Sequence, residues 1–286
     1  MAVKGPKERE SALRYVMRDL GTQGCEEAKR KILDVFGESY NGSKKVLWIC
    51  NTIKSATAIY DWGKKHALPV ELYHSRYRYR DRLRRHRAVI DAFGKDAPIL
   101  AVTTQVAEMS LDISADVPVS EYAPIWALIQ RLGRLNRKEE IPSVSGTALL
   151  YSPSRNLPYD EKLLEDARKW LSELCDGTAR SQADLAAIFL KISFGEKRPI
   201  FPFKTFAWKD ASLFEENEPV SIEESGYTSD VVREEDLPAF NLTEIAIPMP
   251  NVDGMHEWKR LKRFFVAPTG SMFYDERRGG EWKSLR

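Results

Sequence analysis

Between Val46 and Tyr151, short apolar runs alternate with amphipathic stretches, and this alternation limits the available folds more than any other feature of the chain. The runs 46–50, 70–73, 99–103, 116–121 and 147–151 have strand length, and 53–67, 79–93 and 124–132 between them carry apolar residues at helical spacing. A strand that is apolar on nearly every side chain must be buried on both faces, which requires helices above and below a parallel sheet. Successive β and α units therefore predict an α/β fold with a parallel sheet covered on both sides.

The flanks differ in texture. Residues 7–20 read as a helix with Leu13, Val16, Met17 and Leu20 on one stripe, and 25–37 read as a second helix after the break at 21–24. Together with a turn at 40–43 they make 1–43 a helical connector, with the α/β unit at 44–152. Helices are expected at 159–174 and 181–191, giving a helical linker over 153–192. Prolines, acids and isolated aromatics then point to short strands and long loops in a smaller mixed region, 193–286. Within it, 256–265 interleaves Lys259, Arg260, Lys262 and Arg263 with Trp258, Phe264 and Phe265. An amphipathic helix against the core is the expected form, and stacking on bases is the competing use.

Composition narrows the class. No run of 18 apolar residues occurs and residues 1–10 are polar, so neither a spanning helix nor an apolar leader is expected. Three widely spaced cysteines, Cys25, Cys50 and Cys175, fit a reducing cytoplasm rather than a disulfide framework. The four histidines lack ligand spacing with them, so no metal site is expected in the chain itself. A net charge of +2 conceals two opposite surfaces: seven arginines in the twelve residues from Arg76 to Arg87, and nine acids against one base from Glu215 to Asp236. The acidic stretch reads as a solvated face. The arginine run is a candidate phosphate surface on a helix that also buries Leu83, Val89, Ile90 and Phe93.

In such sheets, ligands sit beyond the carboxyl ends of the strands. Polar clusters follow four successive strands or their loops: Asn51 and Thr52; His74, Ser75 and Arg76; Thr103, Thr104 and Gln105; then Glu108, Ser110 and Asp112. Helix capping is the ordinary use of Asn51 and Thr52. Four clusters at matching strand ends point instead to a shared site. The octapeptide QRLGRLNR, from Gln130 to Arg137, adds Arg131, Arg134 and Arg137 at every third position. On a helix begun by Ala127 these arginines lie near one face, with Gly133 allowing another backbone to approach. Guanidinium groups in that arrangement suit a polyphosphate.

The series VLWICNT (46–52), YHSRY (73–77), VTTQVAEMSLDISAD (102–116) and APIWALIQRLGRLNR (123–137) resembles the second RecA-like lobe of superfamily 2 helicases. Within that superfamily it is most similar to the helicase-nuclease of type I CRISPR systems. The resemblance covers 44–152 closely and the remainder only by position. It implies that Gln130, Gly133, Arg134 and Arg137 meet ATP phosphates, with Arg134 and Arg137 as arginine fingers. Arg131 would join them or hold the loop, and Asp112 would bind ribose or a finger. Asn51, Thr52, His74, Ser75, Arg76, Thr104 and Gln105 would follow the nucleic-acid backbone, and Glu108 would couple the two sites.

A motor of this kind also needs a glycine-rich phosphate loop and an acidic magnesium-binding motif, both on its first lobe. This sequence contains neither, nor the tandem His and Asp pattern of the family's nuclease. The resemblance therefore implies the carboxyl-terminal half of an ATP-dependent single-stranded DNA translocase, inactive alone. ATP and Mg would be held mainly by a first lobe, on the same polypeptide or a separate subunit. A nuclease domain and a guide-RNA surveillance complex would be partners, with no membrane. Two other readings stay open: a non-catalytic docking or regulatory module, and the second lobe of another superfamily 2 helicase.

Overall fold

The computed structural model describes residues 7–37, 44–109, 111–138, 146–193, 228–238, 241–252 and 254–283. Its elements run α1 (Lys7–Ser11), β1 (Tyr15–Asp19), α2 (Gly24–Phe36), β2 (Lys45–Ile49), α3 (Ile53–Lys65), β3 (Val70–Tyr73), α4 (Tyr79–Gly94), β4 (Ile99–Thr103) and α5 (Val106–Met109). They continue with β5 (Val117–Glu121), α6 (Ile125–Leu132), β6 (Gly146–Tyr151), α7 (Glu161–Leu174), β7 (Ala179–Arg180) and α8 (Gln182–Ser193). The remainder comprises β8 (Thr228–Arg233), α9 (Leu242–Ile245), β9 (Ile247–Pro250), β10 (Arg260–Leu261), β11 (Phe264–Ala267), β12 (Met272–Asp275) and β13 (Gly279–Trp282).

The expected parallel sheet is present, in the order β3-β4-β2-β5-β6-β1-β7. Only β7 runs antiparallel to its neighbour. Strands β2 and β4 are buried along their whole length, so alternate side chains feed two cores. Val46, Trp48, Leu100, Val102 and Tyr151 pack under α2 and α3. On the other face, Leu47, Ile49 and Ala101 pack against α4 and α5. Met17, Ala148 and Leu150 continue that second face beneath α6, α7 and α8.

Two sequence expectations are corrected. The helix expected over 7–20 is the short α1 followed by β1, which pairs Tyr15 with Gly146 and Asp19 with Leu150. Tyr15 and Met17 are buried on the sheet face while Leu13 stands exposed, so a period of two replaces the helical stripe. The helix expected over 256–265 is a 3-10 turn at Met255–Glu257 followed by the β10–β11 hairpin, with Lys262 at φ +56° in its turn. Aromatic and β-branched residues at 264–266 favour the strand, and pairing with β8 completes it.

Strands β10-β11-β8-β9 form a second sheet, and β12–β13 is a separate hairpin beside it. Val231, Ile247, Met249, Ala267 and Met272 are the core they share. The arginine run of α4 holds this unit against the first sheet. Arg78 pairs with Asp236 at 2.5 Å and lies over the Tyr274 ring at 4.3 Å, and Arg84 bridges Asp81 and Glu276. The two opposite surfaces read from charge alone therefore meet at Arg78 and Asp236. Most of the acidic stretch, like the turn at 40–43 and Ser110, lies outside the described residues.

Candidate nucleic-acid and nucleotide interface

The carboxyl ends of β2, β3 and β4 open on one cleft of about 280 Å³. Asn51, Thr52, Ser75, Arg76, Thr104 and Gln105 line one side of it, and Leu157, Pro158, Thr228, Pro248 and Pro250 line the other. Six of the seven residues expected to follow a nucleic-acid backbone thus share one concave wall. The seventh, His74, lies behind it.

Three of the wall residues, Thr52, Asn51 and Gln105, are fixed locally. Thr52 caps α3, its hydroxyl accepting from the Ser55 N–H at 3.1 Å and donating to the Ser55 hydroxyl at 2.9 Å. Asn51 is buried and fully engaged. Its backbone N–H donates to Glu121 at 2.5 Å and its Nδ2 to the Tyr122 carbonyl at 2.7 Å, while its own carbonyl accepts from Gln105 Nε2 at 2.7 Å. His74 accepts the Arg76 N–H on Nδ1 at 3.1 Å and faces the Arg278 carbonyl with Nε2 at 2.9 Å, which selects the neutral tautomer protonated on Nε2. Burial drives its pKa down to about 3. Its ring stacks on Tyr77 at 4.4 Å.

The arginines of QRLGRLNR do not share a helix face. Helix α6 stops at Leu132, and the chain turns through Asn136 at φ +47° so that Leu135 enters the core beside Ala115. Gly133 has helical φ and ψ, and the atoms nearest to an added Cβ all belong to its own turn, so no other backbone approaches it there. Arg131, only 1% exposed, points inward. Its Nε donates to Glu108 at 2.8 Å, its Nη1 to Asn51 Oδ1 and Ser120 at 3.0 Å, and its Nη2 to Tyr159 at 3.3 Å. Arg134 donates from Nε to the Ala107 carbonyl at 3.0 Å and from Nη2 to the Glu108 carbonyl, at the end of α5. Arg137 faces outward, 41% exposed, with Nε 3.2 Å from an Asp112 carboxylate that is itself 85% exposed. Gln130 is exposed one turn after the exposed Trp126.

The chemistry follows from these positions. Arg137 and Asp112 form an open ion pair, whereas the Arg131 hub ties Glu108 on α5 to Asn51 at the cleft. Glu108 lies at the far end of α5 from Thr104 and Gln105, so the short helix bridges the two places. Sequence reasoning missed Glu121, Ser120 and Tyr159, which complete the hub. Burial raises the pKa of Glu121, opposed by the Asn51 N–H and by Arg131. A carboxylate closing the apolar run at 117–121 was the available signal. Among the described residues, no cluster of three or more His, Cys, Asp or Glu could hold a metal, and no helix is long and apolar enough to cross a membrane.

Comparison with known proteins decides the family. Residues 42–140 match the model of the C-terminal part of the CRISPR-associated nuclease/helicase Cas3. A putative Cas3 of Myxococcus xanthus is 32% identical over 98% of this chain. The chain corresponds to the C-terminal helicase region of Cas3. It spans 37% of the Myxococcus protein, and its 35% identity to Escherichia coli Cas3 covers 34% of this chain and 12% of that one. Solved structures agree in fold: a CRISPR-associated protein with TM-score 0.70 at 17% identity, covering 99% of this chain and 42% of that one, and T. fusca Cas3-ATP with TM-score 0.62 at 16% identity, covering 99% and 43%. A CRISPR RNA-guided surveillance complex in its pre-nicking state contains a chain of the same fold, with TM-score 0.64 at 16% identity, covering 95% and 44%. In this Cas3-like region the family match takes in β2 through α6, and so all the strand-end clusters.

Proposed function

We propose that this chain is the second-lobe half of an ATP-driven motor that moves along single-stranded DNA in CRISPR interference. The observation that carries it is the cleft in which Asn51, Thr52, Ser75, Arg76, Thr104 and Gln105 converge from three strand ends. Small hydroxyls and one guanidinium suit a phosphate backbone and carry no base code, as a translocase requires. ATP, with Mg, supplies the free energy of stepping and a triphosphate whose developing charge arginine can stabilise. Gln130 and Arg137 would approach the phosphates with Asp112 orienting Arg137, and Arg134 would brace the end of α5.

Coupling between the sites would run through Gln105, Asn51, Arg131 and Glu108, which already form one hydrogen-bonded chain. A first lobe, a nuclease domain and a guide-RNA surveillance complex are the expected partners. The names of the Cas3 relatives, including an ATP complex and a surveillance complex, support this reading. The docking-module alternative loses ground because Arg78, Arg84 and Arg85 are occupied by Asp236, Glu276 and Glu71 of the same chain.

The test uses the two-lobed protein with single-stranded DNA. Arg137→Ala should reduce stimulated ATP turnover by roughly 10³-fold or more. Turnover near the wild-type rate in that variant would remove the finger assignment.

A further inference from the structure

A cleft that grips a phosphate backbone needs donors at fixed positions, yet residues 74–78, which bring Ser75 and Arg76 to the wall, belong to no helix or strand. Their rigidity comes from the far end of the chain. The Arg76 carbonyl accepts the Gly280 N–H at 2.7 Å, and the Arg76 N–H is held by the His74 ring. His74 in turn donates to the Arg278 carbonyl. The Tyr77 hydroxyl donates to the Arg277 carbonyl at 2.8 Å, and the Arg78 N–H donates to the Tyr274 hydroxyl at 3.2 Å. The Tyr274 hydroxyl itself donates to Asp81 at 2.5 Å. Every residue of the loop except Ser75 therefore has a direct hydrogen bond to the β12–β13 hairpin.

The fit is close enough to exclude a side chain. Gly279 sits at φ +80°, and a Cβ there would stand 2.4 Å from the Arg76 carbonyl oxygen and 2.6 Å from His74 Cε1. No rotamer relieves contact with a backbone oxygen. Hairpin and loop must therefore be seated together or not at all.

We propose that the β12–β13 hairpin is a positioning element of the cleft, clasping loop 74–78 so that Ser75 and Arg76 are held ready for a phosphate backbone. This rests on the reading of the cleft as a strand-binding site. The hairpin itself contributes none of the cleft-lining residues. Its effect passes through the backbone of Arg76, whose carbonyl is held by Gly280 of the hairpin and whose amide is held by His74, itself bonded to the Arg278 carbonyl.

The experiment measures binding of a labelled oligothymidylate by the 286-residue chain across a salt series, in wild type, Arg76→Ala, Gly279→Ala, Tyr77→Phe and the Arg76→Ala/Gly279→Ala pair. Gly279→Ala should weaken binding about tenfold and lower the salt slope by ~0.7, the loss of one phosphate contact on a single strand. Tyr77→Phe removes one hydroxyl and leaves the ring, so a smaller loss in the same direction is expected. The pair should bind only slightly more weakly than Arg76→Ala alone, because both changes remove the Arg76 contact and only the neutral Ser75 contact is left to lose. A substitution that merely loosened the fold would multiply with Arg76→Ala instead, and that result overturns the proposal. Wild-type affinity and slope in Gly279→Ala and Tyr77→Phe, alongside loss in Arg76→Ala, would also overturn it while leaving the cleft reading intact. Unchanged binding in Arg76→Ala would remove the cleft reading, and the clasp's role with it. Should Gly279→Ala fail to fold, Tyr77→Phe and its pair with Arg76→Ala carry the same comparison.

Discussion

Arg131 carries a full charge at 1% exposure, and it is tolerated because Glu108, Asn51, Ser120, Glu121 and Tyr159 take up its donors. An apolar replacement leaves two carboxylates without their cation, so Arg131→Met should cost about 3–5 kcal/mol in urea unfolding. Arg131→Lys should recover little, because one ammonium cannot reach acceptors on both sides of a planar fork. Wild-type stability in the lysine variant would show the fork to be dispensable. The three-residue spacing of QRLGRLNR was legible as an arginine cluster, but the direction of each arginine was not. Direction depends on where α6 stops, and that is decided by Leu135 entering the core and Asn136 turning left-handed, neither of which the spacing encodes. The strand-end residues were easier to place: a strand buried on both faces can present polar groups only at its ends.

At the scale of elements, α2 shows how tightly helix and sheet meet. A Cβ on Gly24 would lie 2.4 Å from Tyr151 Cβ, whereas Gly21, three residues earlier at φ +67°, has open space around it. Gly24→Ala should therefore cost about 1–3 kcal/mol through overpacking. Gly21→Ala should cost about 1 kcal/mol through backbone strain alone. Melting temperatures in that order would support the packing account, and the reverse order would contradict it. Segment 53–103 was readable because its two helices are long and strongly periodic and the strands between and after them are short apolar runs. Residues 15–19 were misread because Leu13, Val16, Met17 and Leu20 satisfy a helical stripe as well as part of a strand, and only partners distant in sequence, β6 and β7, settle the choice. Residues 256–265 failed similarly, since pairing with β8 lies outside any local window.

For the whole molecule, His74 joins the first sheet to the last hairpin as a neutral imidazole with its pKa lowered to about 3 by burial. The unfolded chain binds that proton near pH 6.5, so the stability it contributes is present above about 6.5 and lost as pH falls toward 3. At about pH 5 the loss amounts to roughly 2 kcal/mol. Amide exchange in β12 and β13 should accelerate between about pH 7 and pH 5 beyond the intrinsic pH effect, and His74→Gln should abolish that excess. Equal excess exchange with and without the imidazole would assign the effect to another group.

The strand order carries a consequence for how such a chain is made. Strand β1 lies between β6 and β7, and Tyr15 hydrogen-bonds alongside Gly146 and Arg180. During synthesis the first strand leaves the ribosome long before either neighbour exists, while β2, β3 and β4 find one another within a short span. One side of the sheet can therefore assemble early, and β1, which precedes the other strands of this sheet, is among the last to be enclosed, in a slot formed by residues made well after it.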